Sequence, residues 1–129
     1  GTTVYVKHEN HSALGAFKLR GGAVYLHELL QREPLVRGVI SATRGNHGQS
    51  IARAAARHGL AATIVVPHGN SSEKNAAMRA LGATLVEHGE DFQHSREHAA
   101  ALAEVKKVLL AETGKPGAEA LMFTSFVVQ

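Results

Sequence analysis

The sequence predicts an α/β protein whose open, twisted parallel sheet is flanked by helices. Short runs of apolar and β-branched residues alternate with longer stretches of helical spacing, which is the pattern of repeated βα units. The chain has 129 residues, of which 44% are hydrophobic and 19% are charged. This balance is typical of a globular protein that can bury a sizeable core.

The first part of the chain predicts a strand, a helix and a second strand. Residues 3–7, "TVYVK", have the β-branched composition of a strand. Residues 16–30 have helical spacing, and Pro34 follows as a break. Residues 37–42, "RGVISA", form the second predicted strand. The apolar positions of the helix are Val24, Leu26, Leu29 and Leu30.

The middle of the chain continues this alternation. A helix is predicted from about 47 to 58, and Gly59 follows it where a C-cap favours a residue that accepts positive φ. Residues 62–67, "ATIVVP", are nearly all apolar, so this strand is expected to be covered on both faces. Ser71 or Ser72 can then cap a third helix.

The third helix is predicted to end at Gly82, and residues 83–87, "ATLVE", form a fourth strand. The last helix begins near Asp91. Beyond 114 the periodicity is lost, which leaves a fifth strand or a frayed end as alternatives. The apolar stripe predicted for the last helix consists of Leu102, Val105 and Leu109.

The composition excludes several classes of function. The formal charge of +3 comes from 14 basic and 11 acidic residues, which are dispersed, and only 5% of residues are aromatic. A nucleic-acid partner is therefore not expected. The apolar runs are shorter than the roughly 20 residues of a membrane span, so no membrane association is expected. The absence of cysteine excludes disulfides and favours a cytoplasmic setting.

The segment "SATRGNHGQSIA", residues 41–52, is the strongest candidate for a binding site. It follows a strand and opens a helix, whose first backbone amides are unpaired and lie at the positive end of the dipole. Gly45 and Gly48 are expected to let the backbone approach a ligand and adopt unusual dihedral angles. The sequence therefore predicts an anion site here. The alternative is an ordinary turn in which Asn46 acts as an N-cap.

Lys18, in "GAFKLRGG", is a candidate reactive amine. Phe17 and Leu19 flank it, so its stem can enter an apolar pocket. Removal from water makes an amine a better nucleophile toward carbonyl groups, with which it forms Schiff bases. The alternative is a solvated charge near the start of a helix.

Other candidates are weaker. His94 and His98 are four residues apart, a spacing that can bind zinc, but no glutamate adjoins His94 and no third ligand has a suitable spacing, so no metal is expected. Lys74 and Arg79 are predicted to decorate an exposed helix. The chain has no Gly-x-Ser-x-Gly elbow and no Gly-x-Gly-x-x-Gly fingerprint.

Three motifs carry a resemblance to a known family. "VYVKHENHSALGAFKLRGG" resembles the lysine segment of the fold-type II pyridoxal-phosphate enzymes, and "SATRGNHGQSIARAA" resembles their Ser-x-x-Gly-Asn-His-Gly loop. "TIVVPHGNSSEKNAAMRALGATLVEHG" is similar to the segment that follows in the threonine and serine dehydratases. The resemblance covers residues 2–100 approximately, in the family order.

The resemblance implies a dehydratase that converts threonine or serine to a 2-oxo acid and ammonia, with pyridoxal 5'-phosphate as cofactor. Lys18 would carry the cofactor as a Schiff base and remove the substrate Cα proton. Phe17 would contact the cofactor, and Asn46 would hydrogen-bond its phenolic oxygen. The substrate carboxylate would be held by Thr43, Gly45, Asn46 and His47.

The sequence also departs from the family. Arg44 stands where serine racemases of the family have serine, which disfavours racemisation but keeps a serine racemase or another fold-type II enzyme as an alternative. Leu14 replaces the usual threonine or serine, and residues 114–129 lack the glycine-rich cup for the cofactor phosphate. A second alternative is therefore an inactive, truncated remnant that binds an anion or associates with itself as a small α/β module.

The resemblance further implies a division of the chain. Residues 1–37 would belong to the larger domain of such enzymes and carry the lysine, and residues 38–129 would form the smaller α/β domain. The expected partners are an amino-acid substrate and, because missing sheet neighbours would expose apolar strands, further copies of the chain in a homo-oligomer.

Overall fold

The computed structural model describes residues 1–113 and 123–127, with side chains as far as Lys106. A short 3₁₀ turn at Glu9–His11 precedes the regular elements. These are α1 (Lys18–Arg32), β1 (Gly38–Ala42), α2 (Asn46–Arg57), β2 (Ala61–Val66), α3 (Ser72–Ala80), β3 (Thr84–Glu87), α4 (Phe92–Thr113) and β4 (Phe123–Val127).

The four strands form one sheet in the order β3-β2-β1-β4, and every pairing is parallel. Ile40 of β1 lies opposite Thr63 of β2 on one side and opposite Phe126 of β4 on the other. The predicted α/β class with an open parallel sheet is confirmed. Of the two alternatives for the chain beyond residue 114, the strand is correct, and it lies beside β1.

Helices cover both faces of the sheet. Val39 and Ile64 belong to a core formed with α1, α2 and α3, whereas Ile40 and Val65 belong to a second core formed with α4. Neighbouring residues of a strand point to opposite faces, so both faces of β1 and β2 are buried. The expectation that the third predicted strand is covered on both faces is confirmed.

The strand order places a topological switch point at β1. The chain leaves β1 through α2 toward β2 and β3, whereas β4 lies on the opposite side of β1. In open α/β sheets, ligands bind in the crevice at the carboxyl ends of the strands, beside such a switch point. The turn between β1 and α2 therefore lies where a ligand site is expected.

Helix ends follow the local signals in the sequence. Gly59 has φ +66°, and the N–H groups of Gly59 and Leu60 donate to the carbonyl oxygens of Ala56 and Ala55 at 3.2 and 2.9 Å. This glycine therefore provides the predicted C-cap of α2. At the start of α3, the Ser71 hydroxyl accepts the Lys74 N–H at 3.4 Å, which selects Ser71 from the two candidate caps.

The predicted strand at residues 3–7 is wrong for the described structure. Residues 1–8 have no regular secondary structure, and Val4 and Tyr5 are 74% and 94% exposed. A strand needs a neighbour to accept and donate its backbone hydrogen bonds, and no strand in the described part of the chain lies beside this segment. The β-branched composition of residues 3–7 is therefore not enough to make this segment a strand.

The apolar stripe predicted for α4 is correct at Leu102, which packs against the second core, and wrong at Val105. Val105 is 56% exposed and Leu102 is only partly buried, while the side chain of Leu109 lies outside the described residues. The buried row consists of Ser95, Ala99 and Ala103. These small residues repeat every four positions, which places them on one face of α4, and Ala99 and Ala103 belong to the core formed with Ile40 and Val65 of the sheet.

Two histidines form a stacked pair where β3 leads into α4. The rings of His88 and His98 have centroids 3.8 Å apart and planes inclined by 16°. Burial lowers the pKa of His98 below its usual 6.5, and the positive charge of a protonated His88 lowers it further. The fold therefore favours the neutral form of His98.

We expect this pair to make the fold less stable in acid. Below pH 6.5 the unfolded chain binds more protons at His98 than the folded chain does, so the unfolding free energy falls as the pH drops from 6.5 toward the lowered pKa. Urea unfolding at about pH 7.5 and about pH 5.5 measures the change. The loss of unfolding free energy between these two pH values should be smaller in His98→Gln than in the wild type. It should equal the wild-type loss in His27→Gln, which replaces an exposed histidine of α1. An equal loss in all three proteins would contradict this assignment.

Candidate active site

The crossing of α1 and α2 positions Lys18. Gly22 of α1 lies against Ser50 of α2, where a Cβ atom on Gly22 would contact the Ser50 hydroxyl and lie 3.0 Å from its carbonyl oxygen. The Ser50 hydroxyl is fully buried and donates a hydrogen bond to the Lys18 carbonyl oxygen at 2.6 Å. The backbone of Lys18 is thus bound to the helix that follows the candidate anion turn.

Thr43 organises that turn. It is 4% exposed, and its hydroxyl oxygen accepts the N–H groups of Gly45 at 3.0 Å and Gly48 at 3.2 Å. Two of the amides at the start of α2 are therefore occupied within the turn. Asn46, the first residue of α2, is exposed at the same end of the helix, where an initial N–H has no partner within the helix.

The two glycines of the turn are needed for space. The expectation of unusual dihedral angles is wrong for Gly48, which is helical, whereas Gly45 has φ 171° and ψ −104° and is neither helical nor extended. A Cβ atom on Gly48 would contact the Thr43 methyl group and lie 2.5 Å from Met78 Sδ. A Cβ atom on Gly45 would lie 2.5 Å from Lys74 Cδ. Side chains of the protein itself thus occupy the space beside both glycines.

We expect Thr43→Val to destabilise the protein, although the two side chains have nearly the same shape. Valine cannot accept the two buried N–H groups, and a buried donor without a partner costs about 1–3 kcal/mol. Urea unfolding measures the loss. Thr84→Val, at an exposed position of β3, is the matched control and should change the unfolding free energy by less than about 0.5 kcal/mol. Equal values for the two variants would contradict the role of Thr43.

Lys18 and the turn line the same cavity. This cavity has a volume of about 300 Å³. An adjoining cavity of about 330 Å³ is more apolar, and Lys18 and His47 line both. The first cavity is lined by Lys18, Ala42, Thr43, Arg44, Gly45, Asn46, His47, Lys74 and Phe92, and the second by Phe17, Lys18, Gly21, Gly22, Tyr25, His47 and Ile51. All site residues predicted from the sequence therefore lie around one or both cavities.

Lys74 was misjudged from the sequence. It is exposed, as predicted, but its ammonium nitrogen would lie only 2.9 Å from a Cβ atom on Gly45, so it covers the anion turn. Lys74 follows β2, and the carboxyl ends of parallel strands share one edge of the sheet. That position was the signal available in the sequence. Arg79 behaves as predicted: it is exposed and pairs with Glu87 at 3.4 Å.

Of the two α4 histidines with zinc-binding spacing, His94 contacts Asp91 and His98 stacks on His88. His94 Nδ1 lies 3.0 Å from Asp91 Oδ1, and the N–H of His94 donates to that oxygen, which is the main cause of the lowered pKa of Asp91. In the described part of the chain, no three His, Cys, Asp or Glu side chains are grouped closely enough to hold a metal ion. No helix in the described part of the chain is long and apolar enough to cross a bilayer.

The amine and the helix N-terminus at this cavity together define a class of protein. Lys18, a half-buried residue that carries an amine, lines one cavity with the N-terminus of α2 at the carboxyl end of a parallel strand, so a carbonyl group and an anion can be bound together. The sequence pattern of the family described as "Pyridoxal-phosphate dependent enzyme" matches residues 1–122. The chain belongs to this family, whose cofactor is pyridoxal phosphate.

Within the family, the chain is similar to threonine dehydratases. It is 40% identical over 104 residues to threonine dehydratase 2 of Solanum lycopersicum and 38% identical over 104 residues to L-threonine ammonia-lyase of Thermotoga maritima. Each match covers 81% of this chain, but only 17% and 26% of the relatives' length. The structure of a pyridoxal 5'-phosphate-dependent aspartate racemase matches with a TM-score of 0.74 and 35% identity, covering 78% of this chain and 31% of that one.

The residues around the cavities fit the reactive part of the cofactor. Lys18 supplies an amine, and the exposed Asn46 supplies an amide that can donate to an oxygen. The adjoining cavity is lined by Phe17 and Tyr25, and aromatic and aliphatic walls suit a flat ring. The described residues therefore match the aldehyde and ring of pyridoxal phosphate.

Proposed function

We propose that the protein containing this chain is a pyridoxal-phosphate-dependent dehydratase that eliminates water from threonine or serine. The products are a 2-oxo acid and ammonia. The observation that carries the proposal is the cavity of about 300 Å³, which Lys18 lines together with residues 42–47. The similarity to threonine dehydratase 2 of Solanum lycopersicum and to L-threonine ammonia-lyase of Thermotoga maritima supports threonine as a substrate.

Each residue then has a chemical role. Lys18 Nζ would hold the cofactor through its aldehyde and, once released from it, would take the proton from the substrate Cα. Asn46 would hold the cofactor through its phenolic oxygen, and Phe17 would help to exclude water. When bound, pyridoxal phosphate supplies the electron sink for the pair left at Cα. These roles require only small movements, because the groups already line adjoining cavities.

The substrate carboxylate is assigned to the turn. Thr43 fixes the turn through the amides of Gly45 and Gly48, and the positive end of α2 and the first amide of the helix, at Asn46, attract the carboxylate. His47 lines both cavities and can contact the carboxylate or the ring. With the carboxylate held, Lys18 would take the Cα proton, and the hydroxyl group on Cβ would leave with a proton as water. The enamine so formed takes up a proton at Cβ to become an imine, and a second water hydrolyses its C=N bond to ammonia and the 2-oxo acid.

We also propose the division of the chain at residues 37 and 38, with residues 1–37 in the larger domain and residues 38–129 in the smaller one. The packing of α1 on α2, through Gly22 and Ser50, would then form part of the interface between them. A homo-oligomer is supported by the exposed Val4 and Tyr5, and a cytoplasmic location by the absence of cysteine.

The test uses the full chain, purified with pyridoxal phosphate and supplied with L-threonine or L-serine. Ammonia and the 2-oxo acid are measured together with the optical activity of the remaining amino acid. Equal amounts of the two products are expected. The structural similarity to an aspartate racemase makes racemisation the second candidate, and loss of optical activity without ammonia would favour it. No change in the amino acid, by either measure, would favour the inactive anion-binding module.

A further inference from the structure

The amine of Lys18 has two tasks in the proposed reaction, and both require it to stay in one place. It first holds the cofactor and later takes a proton from the substrate Cα. A lysine side chain has several rotatable bonds, so holding its amine in a single position costs conformational entropy. The position of the Lys18 backbone therefore decides how often the amine lies where it can react.

Lys18 begins a helix that has no side-chain cap. It is the first residue of α1, and the preceding residue, Phe17, makes no capping hydrogen bond through its side chain. The first turn includes a long backbone bond, in which the Leu19 N–H donates to the Ala16 carbonyl oxygen at 3.4 Å. Helix ends open locally at a small cost in free energy. The start of α1 therefore depends on contacts with other elements.

The Ser50 hydroxyl provides such a contact. A serine within a helix can turn its hydroxyl back to a carbonyl oxygen one turn earlier, but Ser50 donates to Lys18, which is 32 residues away, at 2.6 Å. Gly22 makes room for this bond, because it lacks the Cβ atom that would contact the hydroxyl. Ser50 is fully buried, so water does not compete for the hydrogen bond.

We propose that Ser50 is a positioning residue for the amine of Lys18. Ser50 is not among the described residues that line the two cavities, so it acts through Lys18 and does not touch the cofactor or the substrate. Its hydrogen bond fixes the first residue of α1 to α2, the helix whose N-terminus attracts the substrate carboxylate in the proposed reaction. The amine and the carboxylate site thereby keep a constant spacing through both tasks. This inference rests on the proposed function, in which Lys18 carries out both of them.

The test compares Ser50→Ala with Ser95→Ala in the full-length protein. Ser95 is the matched control, because it is also a fully buried helical serine and donates to a carbonyl oxygen outside its helix, that of His88, at 2.8 Å. Each protein is freed of cofactor and titrated with pyridoxal phosphate, and the visible absorbance of the lysine-bound cofactor gives the dissociation constant. Ser50→Ala should weaken attachment about tenfold, and Ser95→Ala less than about twofold.

Turnover supplies a second measurement. At saturating cofactor, kcat for the formation of 2-oxo acid should fall about tenfold in Ser50→Ala, whereas KM for the amino acid should change less than about twofold, because Ser50 does not contact the substrate. Ser50→Thr keeps a hydroxyl group that can donate, so its dissociation constant and kcat should lie closer to the wild-type values. Urea unfolding shows which variants are folded.

A serine that only stabilises the fold would give a different result. Equal attachment in Ser50→Ala and Ser95→Ala would overturn the proposal, as would a loss that is as large in folded Ser50→Thr as in Ser50→Ala. If Ser50→Thr does not fold, the two alanine variants decide the question alone.

The same measurements separate this proposal from the dehydratase assignment. If attachment weakens as expected but neither threonine nor serine reacts with the wild type, the positioning role stands and the dehydratase assignment fails. If the wild type forms 2-oxo acid and Ser50→Ala attaches the cofactor as tightly as the wild type does, the positioning role alone fails. A wild type that does not attach the cofactor would overturn both.

Discussion

We expect the Lys18→Ala protein to lose covalent attachment of pyridoxal phosphate and to form 2-oxo acid at least about 10²–10⁴ times more slowly than the wild type. The rate falls for two reasons, because the Lys18 amine serves both as the attachment point of the cofactor and as the base. Borohydride reduction followed by intact-mass measurement reports attachment, since the reduced bond no longer hydrolyses. The wild-type mass should increase by one cofactor, and the variant mass should not.

The matched control separates the amine from its charge. Lys18→Arg keeps a cation in the cavity, but a guanidinium is always protonated and does not form the bond to the aldehyde. Both variants should fold, because the bond from Ser50 uses the carbonyl oxygen of residue 18 and not its side chain. A mass increase of one cofactor in Lys18→Ala, as in the wild type, would remove Lys18 from the mechanism.

The sequence predicted most elements well where the signal is local. The structural bounds of β1 and α2 differ from the predicted ones by at most one residue at each end, because apolar periodicity and caps depend on near neighbours in the chain. Gly59 illustrates this, since its positive φ ends α2 without help from tertiary contacts. The order of the elements was enough to predict the parallel sheet.

What the sequence could not predict depends on distant partners. The segment 3–7 has the composition of a strand but no described strand beside it, and α4 buries small residues where its larger ones were expected. Lys74 looked like an ordinary surface charge until the sheet brought α3 beside the turn. Neither periodicity nor composition predicts contacts between residues that are far apart in the sequence.

The candidate site lies between these cases. Lys18 and Ser50 are 32 residues apart in the chain, and only the resemblance to a family connected their segments in advance. The structure supplies the physical link, which is a glycine small enough to let the two helices touch. It also adds a reason for Gly45 and Gly48, which provide space for Lys74, Thr43 and Met78.

The contact at Gly22 should be sensitive to a single methyl group. In Gly22→Ala, the new Cβ atom would contact the Ser50 hydroxyl and lie 3.0 Å and 3.1 Å from its carbonyl oxygen and carbon. Backbone atoms within a helix cannot move singly, so α1 must shift away from α2. Overpacking of this kind costs about 1–3 kcal/mol, which exceeds the gain of up to about 1 kcal/mol from replacing glycine with alanine in a helix.

Gly21→Ala is the matched control, one residue away on the same helix. A Cβ atom there has no neighbour within 4 Å, so only the helix preference remains and the unfolding free energy should rise by about 0.5–1 kcal/mol. Urea unfolding should show a lower unfolding free energy for Gly22→Ala and a higher one for Gly21→Ala than for the wild type. Stabilisation by both substitutions would show that the helices do not meet at Gly22. Because the bond from Ser50 to Lys18 crosses this contact, Gly22→Ala should also weaken cofactor attachment, and Gly21→Ala should weaken it less.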